Sequence, residues 1–235
     1  TLTPAIMELS GCDAVVVLPG AEIERVCSFL EFGLCLNSGA TCIGPRRLLV
    51  EDGSESDRLV RRLCELLDRS ATMFSIHSAA RKKVTESIRD ALESGAVDAT
   101  SRFDMDLLAS SGTMRPLVLE QVRVADKIAS ADLFAPVISV IRVPKIDDAV
   151  AAINGCPYRL AASVFGPERE AVALARRLKV GSVAINDLIA PTADPRVPFG
   201  GRGNSGFGVT RGDEGLLAMT VPVVTSKRRG RFSAH

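Results

Sequence analysis

The sequence lacks a charge imbalance, a long apolar run, a close-spaced cysteine pair and a histidine cluster. Each absence removes a class of function. Lys and Arg number 29 against 28 Asp and Glu, a net charge of +1, too balanced for the basic footprint of a nucleic-acid binder. No uninterrupted apolar stretch approaches the roughly 20 residues that a membrane span needs. The longest, such as Ala14 to Leu18 and Val137 to Ile141, are strand-length. Neither nucleic acid nor a membrane is therefore an expected partner. The six cysteines include no C-x-x-C and there are only two histidines, so no metal site is expected. A chain of this size can bury a core without disulfides. The thiols are read as reduced and the compartment as cytoplasmic. The first nine residues show no basic start and no apolar h-region. The chain does not begin with Met, and reads as processed or as starting within a longer protein.

Hydrophobic residues make up 46% and charged residues 24%, which excludes a disordered chain and fits one large domain or two small ones. Short apolar runs alternate with amphipathic stretches. That pattern predicts an α/β fold, a mostly parallel twisted sheet flanked by helices. Strands are expected at Ala14–Leu18, Arg47–Val50, Val118–Leu119, Val137–Val143, Ala161–Phe165 and Ser182–Asn186. Helical spacing joins Ile23, Val26, Cys27, Leu30 and Leu34, and again Leu59, Val60, Leu63, Leu66 and Leu67. Further helices carry Val84, Ile88, Ala91 and Leu92, then Ile146, Ala149, Val150 and Ile153, then Val172, Ala175 and Leu178. Residues 95–115 show no regular pattern. Seven glycines between Gly200 and Gly215 predict a structured loop rather than a phosphate cradle, because no clear strand precedes them and no clear helix follows. Val221–Thr225 reads as a final β-like run before the basic tail Ser226–Phe232, which is expected to be solvated.

Among the thiols, Cys42 sits in a small-residue loop, Asn37-Ser-Gly-Ala-Thr-Cys42-Ile-Gly-Pro45. Such a loop can present a side chain to a substrate, although a nucleophilic cysteine needs a neighbouring cation, dipole or base. A plain loop thiol satisfies the same pattern. Cys27, Cys35 and Cys64 lie on or beside apolar helix faces and are expected in the core, while Cys12 and Cys156 are turn-adjacent. Glu8 lies inside Ile6-Met-Glu-Leu9. A carboxylate in apolar company is often paired or held for acid–base work, or is simply an exposed strand-edge acid. His235 is terminal and His77 lies between helices, so a Cys-His hydrolase is disfavoured and a Cys-Glu system stays open.

Glu8-Leu-Ser-Gly11, followed 34 residues later by Cys42 in Asn-Ser-Gly-Ala-Thr-Cys, resembles the aldehyde dehydrogenase superfamily. Further segments resemble it in the same order. They are Asp132-Leu-Phe-Ala-Pro136, Tyr158-Arg-Leu-Ala-Ala-Ser-Val-Phe165, Gly181–Asn186, and Pro198-Phe-Gly-Gly201 through Gly206. The resemblance covers nearly the whole chain and implies the catalytic domain of that family without most of its Rossmann-like cofactor domain. By resemblance, residues 1–10 are a remnant strand of the cofactor domain, 11–206 the catalytic domain, and 207–235 a C-terminal return and oligomerisation segment. The implied activity is NAD(P)-dependent oxidation of a small-molecule aldehyde to a carboxylic acid. Cys42 would form a thiohemiacetal and then a thioester, Glu8 would act as general base, and the Cys42 amide would supply half of an oxyanion hole. Leu9, Asp132 and Phe134 would meet NAD or NADP.

The sequence also departs from the family. Asp132 is one methylene shorter than the usual Glu, and Ala135, Ser10 and Arg159 each stand where the family has glycine. Three readings follow. The chain is part of a longer or split aldehyde dehydrogenase, or a non-catalytic remnant acting as a subunit or interaction domain, or a cofactor-independent thioesterase-like enzyme using Cys42 and Glu8. Apolar surface left by the absent half is expected to drive homo-oligomerisation or association with that half.

Overall fold

Short runs rich in Val, Ile and Leu form strands covered on both faces, and amphipathic helices cover them. The computed structural model describes residues 3–227, 229 and 230; His235 and the end of the basic tail lie outside them. Strand β1 (Met7–Glu8) leads into β2 (Asp13–Val17), helix α1 (Ile23–Cys35) and a 3-10 turn at Leu36–Gly39. Then come β3 (Pro45–Glu51), α2 (Ser54–Arg69), β4 (Phe74–Ser75), α3 (Ser78–Glu93) and β5 (Val97–Asp98). The middle of the chain forms α4 (Met105–Ser111), β6 (Thr113–Met114), β7 (Leu117–Glu120), β8 (Val137–Val143) and α5 (Ile146–Asn154). It closes with β9 (Tyr158–Arg159), β10 (Ala161–Phe165), α6 (Glu168–Ala175), β11 (Ser182–Ile185), β12 (Arg202–Gly203), β13 (Gly206–Phe207) and α7 (Gly212–Ala218).

Seven strands make the main sheet, in the order β11-β10-β2-β3-β8-β7-β5. Every neighbouring pair is parallel except β5 with β7. Val16, Leu48, Leu49 and Val140 at its centre are fully buried. Helices α1 and α2 pack Leu30, Leu34, Leu59 and Leu63 on one face. Helices α3, α5 and α6 pack Ile88, Ile153 and Leu174 on the other. Each such side chain contributes about 1.5–3 kcal/mol by leaving water, which is why the apolar spacing alone located these helices.

Local features differ from the sequence reading, two of them instructive. The irregular stretch 95–115 contains α4. Its first turn is capped by Asp104, whose Oδ1 accepts the Leu107 N–H at 2.8 Å, and Gly112 ends it in the left-handed region at φ 73°. Its seven residues are too few to show a periodic stripe. Conversely, Val221–Thr225 forms no strand. Val221, Val223 and Val224 are exposed, and they pair with no described strand.

The connectivity decides where a site can form. Glu8 precedes β2, Cys42 precedes β3, Asp132 and Phe134 precede β8, and Tyr158 precedes β10. These four strands are consecutive parallel neighbours, β10-β2-β3-β8. Residues just ahead of each strand therefore gather along one edge of the sheet. That is its amino edge, opposite to the carboxyl edge at which open α/β sheets usually bind ligands.

Candidate active site at the amino edge of the sheet

The loop carrying Cys42 starts with three successive left-handed residues, Asn37 (φ 50°), Ser38 (φ 57°) and Gly39 (φ 72°). Asn37 tolerates this region because its side chain bonds locally, here donating from Nδ2 to the Ala40 carbonyl at 3.0 Å. The Gly44 N–H then donates to the Thr41 carbonyl at 3.0 Å, turning the chain into β3. Cys42 lies half-buried at the crest of this turn. Burial raises its thiol pKa most, and the Asp13 and Glu8 carboxylates raise it further, while the amides of Ile43 and of Cys42 itself act in the opposite sense. The core thiols differ in degree, since burial pushes Cys27 and Cys64 up to about 12.

Two adjacent arginines underlie the loop. Arg46 Nη1 donates to the Ala135 carbonyl at 2.9 Å, and its Nη2 donates to Gly39 at 2.6 Å and Thr41 at 3.0 Å. Arg47 donates from Nε to the Cys12 carbonyl at 3.0 Å and from Nη1 to Ala152 at 3.2 Å. Asp13, which the sequence reading passed over, feels both arginines and acts on Cys42. It is buried; Oδ1 accepts the Ala161 N–H at 3.1 Å and Oδ2 has no hydrogen-bond partner among the described residues. Burial outweighs the Ala161 amide and both arginines, and lifts its pKa to about 8. Cys12 and Cys156, uninformative as sequence, are both buried and lie against each other. Both thiols are free, and hydrogen bonding between them pushes Cys12 up and, helped by Arg47, Cys156 down.

Glu8 is held by the glycine-rich segment. It pairs antiparallel with Gly206, and the Leu9 N–H donates to the Ser205 carbonyl at 3.2 Å. A Cβ on Gly206 would lie 1.9 Å from the Met7 carbonyl oxygen, so this approach requires glycine. The segment is not loop throughout: it carries the short strands β12 and β13 and runs into helix α7, which its glycines hid from the sequence reading. It is anchored in turn by the fully buried Ser205, whose Oγ accepts the Arg159 N–H at 2.9 Å. Glu8 and Leu9 are exposed, and the Glu8 charge raises the Cys42 thiol after burial and Asp13.

Asp132 reaches the same edge. Its carboxylate, 17% exposed, is 3.8 Å from the Lys83 ammonium of α3, a neighbour that no sequence signal marked. Tyr158 is raised by burial first and then by Asp132. Phe134 is half-buried. The departures from glycine are accommodated. Ala135 is fully buried against the Gly39 turn, and Arg159 turns its Nε to the Cys156 carbonyl at 3.2 Å. The structure thus brings Cys42, Glu8, Leu9, Asp132 and Phe134 to one edge. His77 is a helix cap, its Nδ1 accepting the Ala79 N–H at 3.2 Å. A cavity of about 280 Å³ beside Leu18, Val50, Asp52 and Ser54 lies at the opposite, carboxyl edge. No described set of three His, Cys, Asp or Glu side chains could hold a metal ion, and no described helix is long and apolar enough to cross a membrane.

Comparison with known proteins follows the same outline. The sequence model of the aldehyde dehydrogenase family matches residues 1–224. The aldehyde dehydrogenase LUC3 of Fusarium sp is 31% identical over 224 residues, 93% of this chain and 48% of the relative. Among solved structures, the NADP-dependent glyceraldehyde-3-phosphate dehydrogenase of Bacillus halodurans C-125, complexed with NADP, aligns with a TM-score of 0.84 at 29% identity. That alignment covers 93% of this chain and 47% of that one. The NAD-dependent aldehyde dehydrogenase of Sinorhizobium meliloti aligns with a TM-score of 0.80 at 28% identity, covering 90% and 43%. The chain spans about half the length of the curated relatives it matches.

Proposed function

This chain belongs to the aldehyde dehydrogenase family, and from that membership we propose that it carries the catalytic cysteine of an enzyme oxidising a small-molecule aldehyde to a carboxylic acid. The observation that carries the reading is the meeting at one sheet edge of a half-buried thiol, two amides facing it and an exposed carboxylate. These are Cys42, the N–H groups of Cys42 and Ile43, and Glu8. Glu8 precedes β2 and Cys42 precedes β3, its parallel neighbour, which supports the reading although 34 positions separate the two residues in the chain.

In this reading the Cys42 thiolate adds to the aldehyde carbonyl carbon and forms a thiohemiacetal. The negative charge moves to the carbonyl oxygen, where the Cys42 N–H donates to it. Loss of hydride from that carbon leaves a thioester on Cys42. Glu8 takes a proton from water, the resulting hydroxide adds to the thioester, and the carboxylic acid leaves as the thiol is restored. Glu8 suits this role because it is exposed to water.

The hydride needs an acceptor, and the residues present fit the nicotinamide end of NAD or NADP. Leu9 offers an exposed apolar side chain next to Glu8. The Asp132 carboxylate, poised beside Lys83, lies in the segment that Arg46 ties to the Cys42 loop. Leu9, Asp132 and Phe134 would hold the group there, with Asp132 accepting from a ribose hydroxyl. When bound, a nicotinamide cofactor supplies the two-electron acceptor.

The test is a calorimetric titration of the protein with NAD+ and with NADP+, followed by an absorbance assay with a short aliphatic aldehyde. Saturable binding and a burst of reduced nicotinamide that Cys42→Ala abolishes are expected. Binding without a Cys42-dependent burst would leave the chain a non-catalytic subunit. Thioester cleavage without cofactor, lost in Cys42→Ala, would make it a thioesterase-like enzyme.

A further inference from the structure

Arg46 follows Cys42 by four positions, yet its guanidinium folds back beneath the loop the chain has just left. Its donors meet three carbonyls, those of Gly39, Thr41 and Ala135. The residue is 4% exposed, forms no ion pair among the described residues, and leaves its Nε without a partner. Burying a charge without a counter-ion is unfavourable unless hydrogen bonds replace its water. An apolar side chain would fill the same volume without that penalty, so packing does not explain this residue.

We infer that Arg46 is a positioning residue, which fixes the plane of the Thr41–Cys42 peptide and so aims the Cys42 amide at the reacting atoms. The inference rests on the proposed role of Cys42 as nucleophile. A trans peptide is planar, with its C=O and N–H pointing in opposite directions. The Thr41 carbonyl is held from one side by Arg46 and by the Gly44 N–H. The Cys42 N–H is thereby turned to the other side, where it faces the Cys42 sulfur. After addition, the same donor would face the oxyanion.

The other two bonds complete the clamp. Holding the Gly39 carbonyl stabilises a run of left-handed residues in which Ser38 is strained. Holding the Ala135 carbonyl sets the Asp132–Pro136 segment at a fixed distance from the thiol. One planar fork of donors reaches all three carbonyls. A lysine ammonium, a compact point charge, cannot reproduce that pattern. The groups that act on Cys42 are Asp13 of β2 and Glu8 of β1, while Arg46 of β3 also feels Cys12, Asp13, Asp132 and Cys42.

The test follows alkylation of Cys42 by iodoacetamide against pH, with the adduct located by peptide mass spectrometry and folding checked by circular dichroism. In Arg46→Met the midpoint should move up by about one unit, slowing alkylation at neutral pH roughly tenfold. Arg46→Lys keeps the charge and loses the fork, and should recover only part of the rate. Gly44→Ala, whose Cβ would press to 3.0 Å on Arg46 Nη2, should slow alkylation with Arg46 retained. A folded Arg46→Met with unchanged rate and midpoint overturns the inference. If Arg46→Met does not fold, wild-type behaviour of both Arg46→Lys and Gly44→Ala overturns it. A Cys42 that resists alkylation in the unaltered protein, while other thiols react, overturns the nucleophile reading itself. A reactive Cys42 indifferent to Arg46 overturns the clamp alone.

Discussion

Gly39 and Ala135 approach so closely that a Cβ on Gly39 would lie 2.3 Å from the Ala135 carbonyl carbon. Gly39 belongs to the loop that presents Cys42, and Ala135 to the segment that carries Asp132 and Phe134. The contact joins the proposed nucleophile to the proposed cofactor contacts, and Arg46 bonds both sides of it.

Gly39→Ala is therefore expected to separate the two segments. The substitution meets backbone atoms and must also hold φ at 72°. It should destabilise the fold by about 1–3 kcal/mol, read from urea unfolding, and slow alkylation of Cys42. Unchanged stability would mean that the two segments do not touch in solution.

Asp13 makes the stability pH-dependent. Its folded pKa is raised from 3.8 to about 8, so the folded state holds a proton that the unfolded state has released. Its stabilising contribution is complete below the unfolded value and is lost as pH rises towards about 8. Asp13→Asn keeps the neutral form at every pH. Urea unfolding on either side of this window should show the wild type losing a few kcal/mol more than the variant on the alkaline side. A variant that weakens in parallel with the wild type removes Asp13 as the cause.

Leu216, Leu217, Met219, Val221, Val223 and Val224 are 67–89% exposed on α7 and the segment after it. Apolar surface of this kind is a partner-binding feature. The isolated chain should self-associate in sedimentation velocity, and Leu217→Glu with Val223→Lys should shift it to monomer. A clean monomer without these changes contradicts the expectation.

The legible part of the fold was the part with strong periodicity. Leu59, Val60, Leu63 and Leu67 mark α2 because one face of a helix carries them all, and Val137–Val143 reads as a strand because both faces are covered. Helix α4 escaped because its seven residues bury only Leu108, although Asp104 and Gly112 were readable as its caps. Val221–Thr225 misled because β-propensity measures fit to a sheet surface, and the segment pairs with no described strand. At the proposed site, Cys42, Glu8 and Asp132 were singled out through their motifs. Asp13, Arg46, Lys83 and the Cys12–Cys156 contact were not. Their significance lies in neighbours distant in the chain, such as Ala161 for Asp13 and Ala135 for Arg46.

The most direct test of the central claim is peptide mass spectrometry of Glu8→Gln after mixing with a short aliphatic aldehyde and NAD+ or NADP+. With Cys42 as nucleophile and Glu8 as the base for hydrolysis, the acyl group should accumulate on the Cys42 peptide. A single burst of reduced nicotinamide should accompany it, with turnover lowered about 10²–10⁴-fold. Steady-state turnover at the wild-type rate with no acyl group held on Cys42, or an acyl group on any other cysteine, would contradict it.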